Sequence, residues 1–157
     1  MRDLVLRIVL AVSTVTAAVL GVWATFAPRS FYVDFPGGGR HWISLNGPYN
    51  EHFIRDFGSL QLALAVVTGV ALVSLVPLLV RTAAVAGLAF SVPHLVYHLR
   101  HIDVYNSTDQ VINAVSLAGA VLFALIALVL SGTAPGRAQD QRDAPAAPGA
   151  TTARSDS

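Results

Sequence analysis

Residues 57–80 read FGSLQLALAVVTGVALVSLVPLLV, 24 positions without a charged side chain. At about 1.5 Å of rise per residue, a helix of that length spans a hydrocarbon core of about 30 Å. Three further uncharged stretches accompany it, at 8–27, 82–99 and 110–136. Each has close to the roughly 20 residues that one crossing needs. The expected fold is an all-α integral membrane protein. Four transmembrane helices, at about 4–26, 48–80, 82–101 and 108–131, pack as an antiparallel bundle.

Composition narrows the possible functions. The chain has 157 residues, 54% of them hydrophobic and 12% charged, and its mean hydropathy is +0.61. That balance excludes a disordered chain. The absence of cysteine excludes disulfides, thiolate catalysis and iron–sulfur clusters. A net charge of +1 gives no reason to expect a nucleic-acid partner. Residues 1–131 make one domain. Residues 132–157 are mostly Ala, Pro, Gly, Asp and Arg with no apolar period, and are expected to form a disordered cytoplasmic tail.

The first segment also has features of a signal peptide, with Arg2 and Arg7 at its start and Thr25-Phe26-Ala27 as a cleavage site. Its apolar run exceeds the usual roughly 7–15 residues, and Pro28 would follow the cut, so retention is expected. Placing Arg2, Arg7, Arg81, Arg137, Arg142 and Arg154 on the cytoplasmic side satisfies the positive-inside rule better than the reverse. The expectation is a multi-pass protein of the plasma (inner) membrane with both termini inside.

Residues 28–47 are the external cap. Phe31–Phe35 and His41–Leu45 alternate weakly around Pro36-Gly37-Gly38-Gly39, which predicts a small β-hairpin. Pro48 reads as the first helical position of the second segment. Arg81 reads as the turn between the second and third segments, with Thr82 as N-cap. Ser107-Thr108-Asp109-Gln110 reads as a capping box for the fourth.

With this topology all five histidines, all four tyrosines and both tryptophans gather at the external end. An interfacial belt would place Trp and Tyr at both surfaces. In the third segment Gly87, Ser91, His94, His98 and His101 follow helical spacing along one face. Asp109, Asn113, Ser116 and Ala120 do the same in the fourth, and His52, Asp56, Ser59 and Ala63 in the second. These faces are expected to converge, because polar groups at membrane depth turn inward and mark sites. The candidate ligand-binding residues are Asn50, Glu51, Arg55, Asp56, Asn113 and Trp42. The candidate metal ligands are His52, His94, His98 and His101, with Arg40, His41 and Trp42 lying over them as a lid.

Three functions fit this set. Imidazoles at i and i+4 with nearby carboxylates suit one transition metal, zinc, copper or iron. Haem fits less well, since it needs axial histidines from two helices, such as His52 and His94. A histidine–carboxylate pair under an aromatic lid suits acid–base work on a lipophilic small molecule such as a quinone or isoprenoid. Alternatively, the polar end is a docking surface, and the chain is an accessory or structural subunit of a larger membrane complex or a homo-oligomer. In that case its ion pairs simply tie helix ends together. No G-x-S-x-G, phosphate loop or dinucleotide fingerprint is present.

Two strings carry a family resemblance: NEHFIRDFG at 50–58 and PHLVYHLRH at 93–101. They resemble small, uncharacterised actinobacterial membrane proteins of four helices, similar to the DoxX-like group. The resemblance covers residues 1–131 and implies the four-helix membrane fold. DoxX itself is linked with quinone-coupled thiosulfate oxidation, and the resemblance implies the fold more than any activity. The thiol chemistry of some relatives does not transfer to a chain without cysteine.

Overall fold

A computed structural model describes residues 1–132; the expected disordered tail lies outside them, as do Arg137, Arg142 and Arg154. Five helices form: α1 (Arg2–Phe26), α2 (Pro28–Asp34), α3 (Glu51–Ser74), α4 (Pro77–Arg100) and α5 (Ser107–Ser131). Between α2 and α3 lie strands β1 (Pro36–Gly37) and β2 (Arg40–His41). Four of the helices, α1, α3, α4 and α5, are long and apolar enough to cross a membrane. They pack as a ring in which α1 lies on α3, α3 on α4, α4 on α5, and α5 back on α1.

The bundle is apolar on its outside as well as within. Val12, Val15, Val19 and Val22 of α1 and Val66, Val70 and Val73 of α3 are exposed, whereas Gln61, Thr68, Ser91 and Asn113 are buried. When lipid surrounds such helices, they associate through close approach and internal hydrogen bonds rather than through apolar burial. The α1–α3 contact illustrates both. A Cβ on Gly58 would stand 2.6 Å from the Thr25 backbone nitrogen, and one on Gly21 would stand 2.8 Å from the Leu62 backbone nitrogen. Only glycine permits that approach. Further along, the Thr14 hydroxyl donates to Thr68 Oγ1 at 3.0 Å.

Near the chain's N-terminus, Arg2 donates twice to the Leu130 carbonyl, at 3.0 and 2.7 Å. Arg7 donates to the Leu72 carbonyl at 3.3 Å. These guanidiniums satisfy carbonyls that the last turns of α5 and α3 leave without helical partners.

The α3–α4 turn lies at Leu75-Val76, not at Arg81. Leu75 takes the left-handed conformation (φ 51°) and Pro77 starts α4. Pro77 lacks the N–H that helix continuation requires, and its ring pushes Val76 into extended backbone. Thr82 is therefore no cap: its hydroxyl bonds the Leu78 carbonyl inside α4. The helix starts also shift. Asn50 caps α3 by accepting from Phe53 N, and Asn106, not Ser107, caps α5 by accepting from Asp109 N.

The cap departs most from expectation. Phe31 and its neighbours are helical, because Pro28 at the first position nucleates a turn. Phe31 also packs on Phe35 one turn on, at 5.0 Å between centroids. The hairpin is real but reduced to two residues per strand. It pairs Pro36 with His41 and Gly37 with Arg40, around Gly38 and Gly39 at positive φ. The segment expected as the second strand instead leads into a 3-10 turn, Ser44–Asn46.

Candidate functional site

The cap end holds two separate groups of polar side chains rather than one. The first is on α3 and faces outward. His52 pairs with Asp56 at 3.2 Å, the side chains 88% and 63% exposed. Glu51 pairs with Arg55 at 2.9 Å, and Arg55 also donates to the Thr25 carbonyl. Asn50 is occupied as the N-cap. The stripe Ile54, Gly58, Gln61, Ala65 and Thr68 is buried instead. It is offset by two residues from the expected polar stripe, nearly the opposite side of a helix that turns about 100° per residue. The cause is Gly58: the face that allows closest approach goes against α1, and His52 and Asp56 are turned away.

The second group joins α4, the α4–α5 connection, α5 and the cap. His94 and His98 are half-buried, one turn apart, with ring centroids 4.7 Å apart. His94 stacks on Phe90 at 5.1 Å and faces Phe57 of α3 at 6.5 Å. Among the described residues His94 has no hydrogen-bond partner. Pro93 beside it cannot bond the Ala89 carbonyl, which leaves that acceptor without its usual helical donor.

Above His98 lies Tyr105, 3% exposed, its ring 6.3 Å from the imidazole and its oxygen 3.3 Å from His98 Nδ1. Burial pushes the Tyr105 phenol above its ordinary pKa, against the opposing hydrogen bond from Asn46. Asn46 donates to Tyr105 Oη at 2.5 Å and to the Trp42 carbonyl at 2.7 Å. Trp42 is buried, packed on Tyr105 and on Phe35. Its ring lies in the wall of this group, against residues of the cap and of the α4–α5 connection.

The start of α5 carries two buried polar residues, Asp109 and Asn113. Asp109 accepts from Arg40 at 2.7 Å and from Asn106 at 2.7 Å. This pair ties the hairpin to the start of α5, beside an open cleft of about 360 Å³. The oxygen of Asn113 and the hydroxyl of Ser91 are buried without partners among the described residues. Burying such groups unpaired is expensive.

His101 stays apart from its two neighbours on α4. It is exposed, stacks on Tyr97 at 4.3 Å and has Nδ1 2.8 Å from the Tyr97 carbonyl. His41 is also exposed, with Nδ1 2.6 Å from the Val33 carbonyl. The expected four-histidine set therefore does not assemble, and His52 and His94 do not pair as haem ligands would. Among the described residues no three His, Asp or Glu side chains are placed to hold a metal ion.

Tyr105, Asn46, Asn106, Phe57 and Phe90 enter the site although the sequence reading did not single them out. Phe90 was detectable, four residues before His94 on the same helical face. Asn46 and Tyr105 lie in loops, where no periodicity identifies them.

The chain matches no family model, no curated protein and no solved structure. The resemblance at 50–58 and 93–101 rests on those residues alone.

Proposed function

We propose that this chain is a multi-pass membrane protein that binds a flat, lipophilic ligand bearing a hydrogen-bond acceptor, such as a quinone headgroup, at the cap end. His94 carries the reading. It is a half-buried imidazole packed against Phe90 and Phe57, which also meet each other at 6.1 Å, beside a second imidazole, and no described residue takes its hydrogen bond. Aromatic faces of this kind can stack on a planar molecule, and imidazole nitrogens supply donors or acceptors at its edge. Polar groups this far down an apolar helix are costly unless they are used. In this reading the cap faces out of the cytoplasm, since Arg2, Arg7 and Arg81 mark the other end.

The test is titration of the purified protein in lipid nanodiscs with decylubiquinone, read by quenching of Trp23 and Trp42 fluorescence. Saturable quenching that is lost in His94→Ala, with helix content unchanged by circular dichroism, supports the proposal. No saturable binding by the unaltered chain overturns it, and a protein that then co-purifies stoichiometrically from native membranes points to an accessory subunit.

A further inference from the structure

The hydrogen bonds around Tyr105 have a direction that can be worked out donor by donor. The Trp42 carbonyl only accepts, so the Asn46 atom 2.7 Å from it is the amide nitrogen. Donor and acceptor chemistry thus assigns the amide orientation. The same nitrogen lies 2.5 Å from Tyr105 Oη, so the phenol oxygen accepts there. The phenol's own hydrogen then needs an acceptor, because Tyr105 is buried and an unmade hydrogen bond in such a place is costly. The acceptor in reach is His98 Nδ1 at 3.3 Å. A neutral imidazole that accepts at Nδ1 carries its proton at Nε2.

We infer that Asn46 and Tyr105 are positioning residues that act through His98. By the chain Asn46 Nδ2–H to Tyr105 Oη, and Tyr105 O–H to His98 Nδ1, the cap holds His98 in the Nε2–H form. His98 is thereby a hydrogen-bond donor and selects a ligand whose edge offers an acceptor oxygen, as a carbonyl does. The ligand half of this inference rests on the proposed function. The tautomer half does not, since it concerns the ligand-free protein. Two sequence-distant loop residues, one in the cap and one in the α4–α5 connection, thus decide what a helix residue presents.

The experiment is nitrogen-15 NMR of histidine-labelled protein in nanodiscs without ligand. It is run about two pH units above the ordinary imidazole pKa of about 6.5, with the His98 signal assigned by its loss in His98→Gln. The unaltered chain is expected to show one His98 tautomer, protonated at Nε2, with Nδ1 shifted by hydrogen bonding. Tyr105→Phe should lose that shift and relax to a mixture of tautomers. Asn46→Asp should invert the tautomer, because a carboxylate takes the phenol hydrogen and the phenol oxygen must then accept from His98 Nδ1–H. An Nδ1–H tautomer in the unaltered chain overturns the inference. So does a His98 spectrum that neither variant changes. Failure of decylubiquinone binding with the expected tautomer pattern intact would sink the ligand reading alone.

Discussion

Arg40 Nε and Asp109 Oδ1 meet at 2.7 Å across 69 residues of sequence. This pair fastens the hairpin to the first turn of α5, with Asn106 completing the carboxylate's bonds at 2.7 Å. Bonds to an ionised group are the shorter and stronger kind, and losing one partner strands the other. Arg40→Ala should therefore release the cap. Amide exchange at residues 36–46 is expected to rise about tenfold or more while the interior of α1 stays protected. The double variant Arg40→Ala, Asp109→Ala should open no further than the worse single variant, because the two residues share one interaction. Additive effects in that cycle would refute the pairing.

The α1–α3 approach predicts opposite outcomes for different glycines. Gly58→Ala and Gly21→Ala drive a methyl into backbone 2.6–2.8 Å away, and each should lower stability by about 1–3 kcal/mol. Gly119→Ala meets nothing within 4 Å and gains up to about 1 kcal/mol of helix propensity, so it should not destabilise. Unfolding midpoints of the three variants in one detergent decide this. Equal midpoints for Gly58→Ala and Gly119→Ala would contradict the close contact.

Tyr105 gives a pH prediction. Its pKa is raised above 10.0, chiefly by burial, so the folded state holds this proton at pH values where the unfolded chain has lost it. The contribution to stability is then full below about pH 10 and is lost as pH rises through the raised folded value. Tyr49 is also raised, so tyrosinate absorbance should show two tyrosines titrating late, one of them absent from Tyr105→Phe. That variant should also lose stability less steeply above pH 10 than the unaltered chain.

The outward-facing pair on α3 predicts little effect from its removal. His52 and Asp56 are 88% and 63% exposed, and exposed pairs of this kind contribute about 0–1 kcal/mol. His52→Ala is expected to leave decylubiquinone affinity within about twofold and the unfolding midpoint nearly unmoved. His94→Ala should weaken affinity about tenfold or more, the equivalent of one hydrogen bond to the ligand. Equal losses in the two variants would mean that the site is not on α4.

Helix existence was legible in the sequence because an uncharged run of 20 residues has few other uses. The gathering of histidines and aromatic rings at one end was legible for the same reason, since it follows from which segments run in which direction. Boundaries were less so. Pro77 and Pro28 both start helices, but Pro77 sits inside an apolar stretch that hydropathy alone reads as continuous, and the residues after Pro28 alternate weakly, as a strand would. The Leu75-Val76 turn has no polar residue to announce it.

By itself the sequence determined that four apolar helices form, that they alternate in direction, and that His94 and His98 share a face of α4. Those properties depend on residue type and on the 3.6-residue period, which are local. Tertiary structure alone decided which face of α3 turns inward. Gly58 lets α3 approach α1 most closely on that face, and for helices surrounded by lipid closeness of approach counts for more than polarity. Tertiary structure also brought Asn46, Tyr105 and Arg40 to the site. Their positions depend on where two loops dock, and no period along the chain encodes a distance between loops.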